Sequence, residues 1–334
     1  MMVRRLGTLC ALLLTSACGA RSSLSVGRST TDAGASDAAA STCAGTLSIA
    51  AAPTGFALDA EHVYYLDTSL GGIARVGKTG GAPVLLAQET RAVRNVVVDQ
   101  DWAYWSATDA TRTGHDVLVY RVSKSGGPVM TLRRFGVSTM EPPHALLAAD
   151  DRYVTVGMGG GVHWIDKGNP SYGWRAFDAH SASSESTFGV VSSSGSLTWM
   201  TGRTISRTEL GPADGVSTTL FEVSVDRLRA LAVDADDTPY WLMSNGWDYD
   251  LFRGTSSLGA DKIFPTVKDV GLAIDADALY VSARGGLVRV AKSSGGVRTL
   301  APNASADFMQ VDADCLYYTT HAANVSVLAS VPRR

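Results

Sequence analysis

The chain has little of what many functional classes require. Lysine occurs only six times in 334 residues, and formal net charge is −3. With a pI near 6.1, no domain carries the basic stripe that nucleic acid demands, so nucleic acid is excluded as a partner. Cysteine is scarcer still, at four residues, and none stands with histidine at a zinc-binding spacing. The six histidines are scattered, and no G-x-S-x-G elbow is present. The glycine run at 157–161 lacks the Lys and Ser/Thr of a phosphate loop and reads as a hairpin turn. No cofactor is called for. No stretch shows helical periodicity, which removes the helical fold classes.

What is present begins with a targeting segment. Arg4 and Arg5 precede an apolar run from Leu6 to about Leu14, followed by small residues, which is the layout of a secretory signal. The run is too short to span a bilayer, which takes about 20 apolar residues. Leu14-Thr15-Ser16-Ala17-Cys18 resembles the bacterial lipobox, with Thr15 where leucine is usual. That resemblance implies a signal peptide over 1–17 and lipidation of Cys18, with ordinary cleavage after Ala20 as the alternative. Gly19 in place of Asp implies the outer membrane, so the expected location is the cell envelope, facing periplasm or cell surface. The membrane is met through the lipid anchor only. Residues 18–42 are mostly Ala, Ser, Thr and Gly, a composition that cannot offset its own ordering entropy. They read as a flexible tether with an r.m.s. reach of about 27 Å.

From residue 43 to 334 the chain repeats itself. The unit is an apolar strand ending in Asp, a short polar turn, and a strand with adjacent aromatics: FALDAEHVYYLD at 56, VVVDQDWAYWSA at 96, LAVDADDTPYWLM at 231, LAIDADALYVSA at 272 and MQVDADCLYYTT at 309. Degenerate copies start at 146 and 189, which puts the landmark slot at Asp59, Asp99, Ala149, Ser192, Asp234, Asp275 and Asp312. Each unit continues into two further strands around a glycine-rich turn, as in IARVGKTGGAPVLLA at 73 and LVRVAKSSGGVRTL at 287. Four short strands every 40 or so residues predict an all-β, seven-bladed β-propeller, with six blades if the degenerate copies are miscounted. The Asp-bearing copies resemble the Tyr-Trp-Thr-Asp, NHL and TolB-like propeller repeats, a likeness that implies the fold and leaves function open.

The last unit stops one strand short, and GTLSIAAA at 45–52 has the character to supply it, closing the ring with the N-terminus. Cys43 and Cys315 fall on that closing segment and on the final blade, which in an exported protein predicts a disulfide between them; two buried free thiols are the alternative. Second and fourth strands of a blade lie about 9 to 10 Å apart, so Cys43 must reach inward from just before its strand.

The paired acids of each first turn, such as Asp59 with Glu61 or Asp99 with Asp101, read as Asx-turns. Spread one pair per blade, they gather too few oxygens in any one place for calcium, and no metal is expected. Lys78, Lys124, Lys167 and Lys292 occupy the third-to-fourth turns on the same face, which predicts a solvated face where the two charges offset.

The opposite face carries four segments longer or richer than the repeat needs, at 106–116, 133–145, 178–188 and 244–250. There Trp247 and Tyr249, flanking Asp248 and Asp250, suit a saccharide or peptide. Arg112, His115, Arg133, Arg134, Glu141 and His144 are expected to build a polar pocket beside the axis. The leading reading is a binding or scaffold module for a protein, peptide or saccharide ligand. A lyase or hydrolase using His115, His144 or Glu141 as acid or base, and a purely structural envelope component, are the alternatives.

Overall fold

The computed structural model describes residues 43, 45–47, 55–111, 114–137, 146–158, 161–171, 173–177, 189–193, 195–212, 214–223, 227–254, 261–322 and 325–333. The signal segment 1–17 and all of the tether 18–42 lie outside them. The architecture is a seven-bladed propeller of antiparallel strands, with no helix among the described residues.

After β1 (Thr46–Leu47), blade I comprises β2 (Phe56–Leu58), β3 (His62–Asp67), β4 (Gly72–Gly77) and β5 (Val84–Gln88). Blade II is β6 (Ala92–Val98), β7 (Trp102–Thr111), β8 (Gly114–Ser123) and β9 (Met130–Val137). Blade III is β10 (Leu146–Ala149), β11 (Tyr153–Met158), β12 (Gly161–Asp166) and β13 (Gly173–Phe177). Blade IV is β14 (Gly189–Ser193), β15 (Ser196–Met200), β16 (Thr204–Glu209) and β17 (Ser217–Glu222). Blade V begins β18 (Leu228–Val233), β19 (Pro239–Ser244), β20 (Tyr249–Arg253) and ends in β21 (Asp261–Ile274), which continues as the first strand of blade VI. Blade VI adds β22 (Ala278–Ala283), β23 (Gly286–Ala291) and β24 (Val297–Pro302), and blade VII is β25 (Met309–Val311), β26 (Cys315–Ala322) and β27 (Val325–Pro332) with β1 outermost.

First strands of adjacent blades lie against one another, which places them around the axis. Asn95 on β6 clasps the backbone of Leu147 on β10 through both its amide atoms, and Gln310 on β25 donates to the Phe56 carbonyl on β2, joining last blade to first. The 14-residue β21 breaks register between Val267 and Leu272, where it passes from one blade to the next. Gly271 sits at that passage because a Cβ there would stand 2.4 Å from the Ala306 carbonyl oxygen.

The adjacent aromatics have a simple packing logic. Successive side chains on a strand point to opposite faces, so each pair fills the two spaces flanking its blade. Tyr64 packs with Trp105 between blades I and II, while Tyr65 packs with Tyr317 between VII and I. Tyr104 turns the other way, into the space shared with blade III. Trp105, Trp164, Trp199 and Trp241 are all fully buried. Burial on this scale is the main favourable term holding blade to blade.

Closure follows the expected route. β1 pairs antiparallel with β27 through Thr46↔Ala329 and Leu47↔Leu328, and Cys43 is disulfide-bonded to Cys315 across 272 residues. The Cα atoms are 5.8 Å apart, so Cys43 does reach inward from just ahead of β1. Because Cys315 opens β26 directly after the Asp312 turn, the N-terminal segment joins the propeller on the face that carries the aspartates.

Three details differ from the sequence reading. In blade III the turn is capped by Asp150, which accepts from the amides of Arg152 and Tyr153, so Asp150 and not Ala149 holds the slot. By the register Ser193↔Ser196, blade IV's equivalent is Ser193 and not Ser192. The long segment at 106–116 is largely strand: β7 and β8 are ten residues each and stay paired as far as Thr111↔Gly114.

Candidate functional site

First-to-second and third-to-fourth turns share one face, and their charges make a specific device. In blade I, Asp59 Oδ1 accepts from the amides of Glu61 and His62, while Oδ2 accepts from the Tyr64 hydroxyl at 2.7 Å. Lys124 of blade II pairs with the same carboxylate at 2.6 Å and stands 5.6 Å over the Tyr64 ring. The arrangement recurs: Lys167 of blade III holds Asp99 of II, Lys292 of VI holds Asp234 of V, and Lys78 of I holds Asp312 of VII. Arg333 takes the lysine's place on Asp275 of blade VI. Burial alone would raise these carboxyls. The cation, the tyrosine hydroxyl and the backbone amides outweigh it and hold Asp59, Asp99 and Asp275 below the usual carboxylate range. The same burial, with Asp275 beside it, pushes Tyr280 up to about 12.

This corrects the expectation of a solvated lysine face. Lys78, Lys124, Lys167 and Lys292 are only 11 to 17% exposed and span blade joints. The acids do form the expected Asx-turns, and their remaining oxygens serve this belt.

The opposite face carries the Trp247 hairpin. β19 and β20 are joined by a turn in which the Asn245 amide donates to the Asp248 carbonyl and the Asp248 amide donates back to Asn245 Oδ1. Gly246 adopts φ +115°, a left-handed conformation that glycine tolerates. Trp247, next in the turn, is 97% exposed. Its base is fixed: Asn245 Nδ2 donates to Asp250, which is 9% exposed, and Arg284 in the matching turn of blade VI lies 3.9 Å from Asp248. Tyr249 is partly buried and packs into the joint between blades V and VI. Trp247 therefore faces solvent at the turn, Asp248 is half-buried beside Arg284, and Tyr249 and Asp250 lie beneath them.

The other candidates separate. Arg112, Glu141 and His144 lie outside the described residues, as do 138–145 and the whole of 178–188. His115 sits on β8 opposite Ala110 and Val137. Arg133 and Arg134 are on β9, the outermost strand of blade II, so they mark the rim and not the axis. Arg134 pairs with Asp116, whereas Arg133 donates to the Ser171 carbonyl of blade III at 2.7 Å. Arg133 also enters a rim cleft that the sequence did not indicate, lined by Phe135, His163, Gly173, Arg175 and Asp214. Among the described residues no three His, Cys, Asp or Glu side chains are grouped to hold a metal ion.

The shape has relatives among solved structures. Virginiamycin B lyase from Staphylococcus aureus superposes with a TM-score of 0.62 at 11% identity, covering 86% of this chain and 97% of that one. PorZ, a surface component of the type-IX secretion system of Porphyromonas gingivalis, matches with a TM-score of 0.57 at 12% identity over 86% of this chain and 39% of that one. The computationally designed Ika8 protein matches at 0.55 and 12% identity, covering 85% and 98%. No family model and no curated protein matches the sequence. A lyase, a secretion component and a design share one fold, so the likeness establishes the propeller and no activity.

Proposed function

We propose that this chain is an exported, lipid-anchored binding or scaffold module of the cell envelope, which captures a protein, peptide or saccharide ligand on the face bearing Trp247. The observation that carries the reading is the 97% exposure of a tryptophan on a hairpin whose base is hydrogen-bonded and ion-paired. Exposing an indole gains the monomer nothing, whereas on a preorganised turn it offers a ligand a large apolar surface at small entropic cost. Asp248 beside it supplies a hydrogen-bond acceptor for hydroxyl or amide groups. The chain enters the propeller on the Asp–Lys face, which leaves the Trp247 face clear of an anchor at Cys18.

The test is crosslinking capture from cell envelopes, comparing the intact domain with Trp247→Ala. Because this side chain packs against almost nothing, the variant should unfold within about 0.5 kcal/mol of the parent. Loss of a captured partner or polysaccharide is the expected outcome. Equal capture by both proteins would move the binding site off this hairpin.

A further inference from the structure

A cleft of about 310 Å³ opens on the rim between blades II and III, well apart from the Trp247 hairpin. Phe135 on β9 and His163 on β12 pack together along one wall, their ring centroids 5.0 Å apart and tilted by 52°. Two guanidinium groups enter it. Arg133 projects from the same face of β9 as Phe135, two residues along, and Arg175 lies directly opposite His163 in the β12–β13 register.

Each arginine is aimed by a neighbour. Arg133 spends one N–H on the Ser171 carbonyl, which leaves its other donors for the cleft. The Gly173 backbone lies beside that guanidinium: a Cβ there would be in ordinary contact, 3.8 Å from Arg133 Nε and Cζ. The third-to-fourth turn of blade IV then fixes the Arg175 backbone: the Arg175 amide donates to Asp214 Oδ1 and its carbonyl accepts from the Gly215 amide. Two arginines against one aspartate leave an excess of one positive charge beside that wall.

We propose that this rim cleft binds the oxyanion of a small ligand, a carboxylate or a phosphate, between Arg133 and Arg175, against the wall that Phe135 and His163 form together. Planar guanidinium forks match the geometry of both oxyanions. The volume is that of a small-molecule site at the lower end of the usual range. His163 reports on the cleft. Burial, with Arg175 and then Arg133 adding to it and Asp214 opposing, pushes its pKa down to about 4. At neutral pH the ring is therefore uncharged.

The experiment is an NMR titration of the His163 imidazole in the full domain with sodium benzoate and, separately, inorganic phosphate. Saturable shifts with either probe, and a His163 pKa raised by the bound anion, are expected; the probe that binds identifies the carboxylate or the phosphate source. Arg133→Ala should weaken binding about tenfold, the loss of one charge-assisted hydrogen bond. Arg133→Lys should recover part of it, and Arg152→Ala, which removes a cation on the Asp–Lys face, should change nothing. No saturable shift with either anion, or unchanged affinity in both Arg133→Ala and Arg175→Ala, would overturn the proposal. Neither result bears on capture through Trp247.

Discussion

Blades II and IV are built alike but held differently. Blade II is pinned on both sides: its Lys124 grips Asp59 of blade I, and its Asp99 is gripped by Lys167 of blade III. Blade IV has Ser193 where an aspartate would accept such a grip, and its third-to-fourth turn, at 210–216, contains neither lysine nor arginine. Instead that turn folds over the edge of blade III, where the Trp164 indole donates to the Gly211 carbonyl and Asp214 caps the Arg175 amide. Across the next joint Arg207 donates to the Asp237 carbonyl. Strand topology alone thus makes a blade, and the joints are specified separately by side chains. Where the charged belt is missing, the freed turn takes part in the rim cleft.

The largest perturbation of this scheme is to the joint that the chain itself must close. Replacing Cys43 and Cys315 by serine should cost about 2 to 5 kcal/mol, read as a lower denaturation midpoint in urea. An unchanged midpoint would mean that β1 and the packing around Tyr317 close the ring unaided.

A smaller effect should separate belt pairs from ordinary surface pairs. Lys167 and Asp99 are 11 and 17% exposed, so Lys167→Met leaves a largely buried carboxylate without its cation and should cost about 2 kcal/mol. Arg152→Ala breaks the pair with Asp166, but Arg152 is 63% exposed, so the cost should stay below about 1 kcal/mol. Equal costs would remove the distinction between the two kinds of contact.

The smallest effect is a change of pH slope. Aspartates of the unfolded chain titrate near 3.9, whereas Asp59, Asp99, Asp275 and Asp312 titrate lower when folded. Their contribution is complete above about pH 4, and below it the unfolded state takes up protons first, so stability falls as pH falls. In Lys167→Met the Asp99 share of this loss should shrink, giving a shallower decline of melting temperature between about pH 4 and 3. A decline as steep as the parent's would assign the acid sensitivity to groups outside the belt.

The seven-fold repeat, the closing strand and the disulfide were legible because they follow from spacing and from where the chain runs out of strands. The Asx-turns were legible too, since Asp bonds its own backbone locally. The lysine grips were not, because Lys78 and Asp312 are 234 residues apart and meet only when the ring closes. The slot in blade III was misplaced by one residue because Ala149, Asp150 and Asp151 offer two aspartates after an apolar run, and only register shows which one caps. Polar composition hid the length of β7 and β8, whose Ser, Thr and Asp residues read as loop yet pair to Thr111. Of the candidate site, Trp247 was recognisable as an aromatic in a turn. Arg133 stood out as a candidate, but the rim cleft that it enters did not, since the cleft's residues come from three blades and none belongs to the repeat's pattern.

The disulfide also determines how the domain bears a pull. Any force applied through the residues ahead of Cys43 enters the propeller at Cys315, on a strand paired along both edges within blade VII. It bypasses β1, whose two residues would otherwise peel from β27 one hydrogen bond at a time. Cys43 therefore acts as a strain relief, as a clamp does on a cable: traction stops at a covalent bond, and the short strand that completes the ring carries no load.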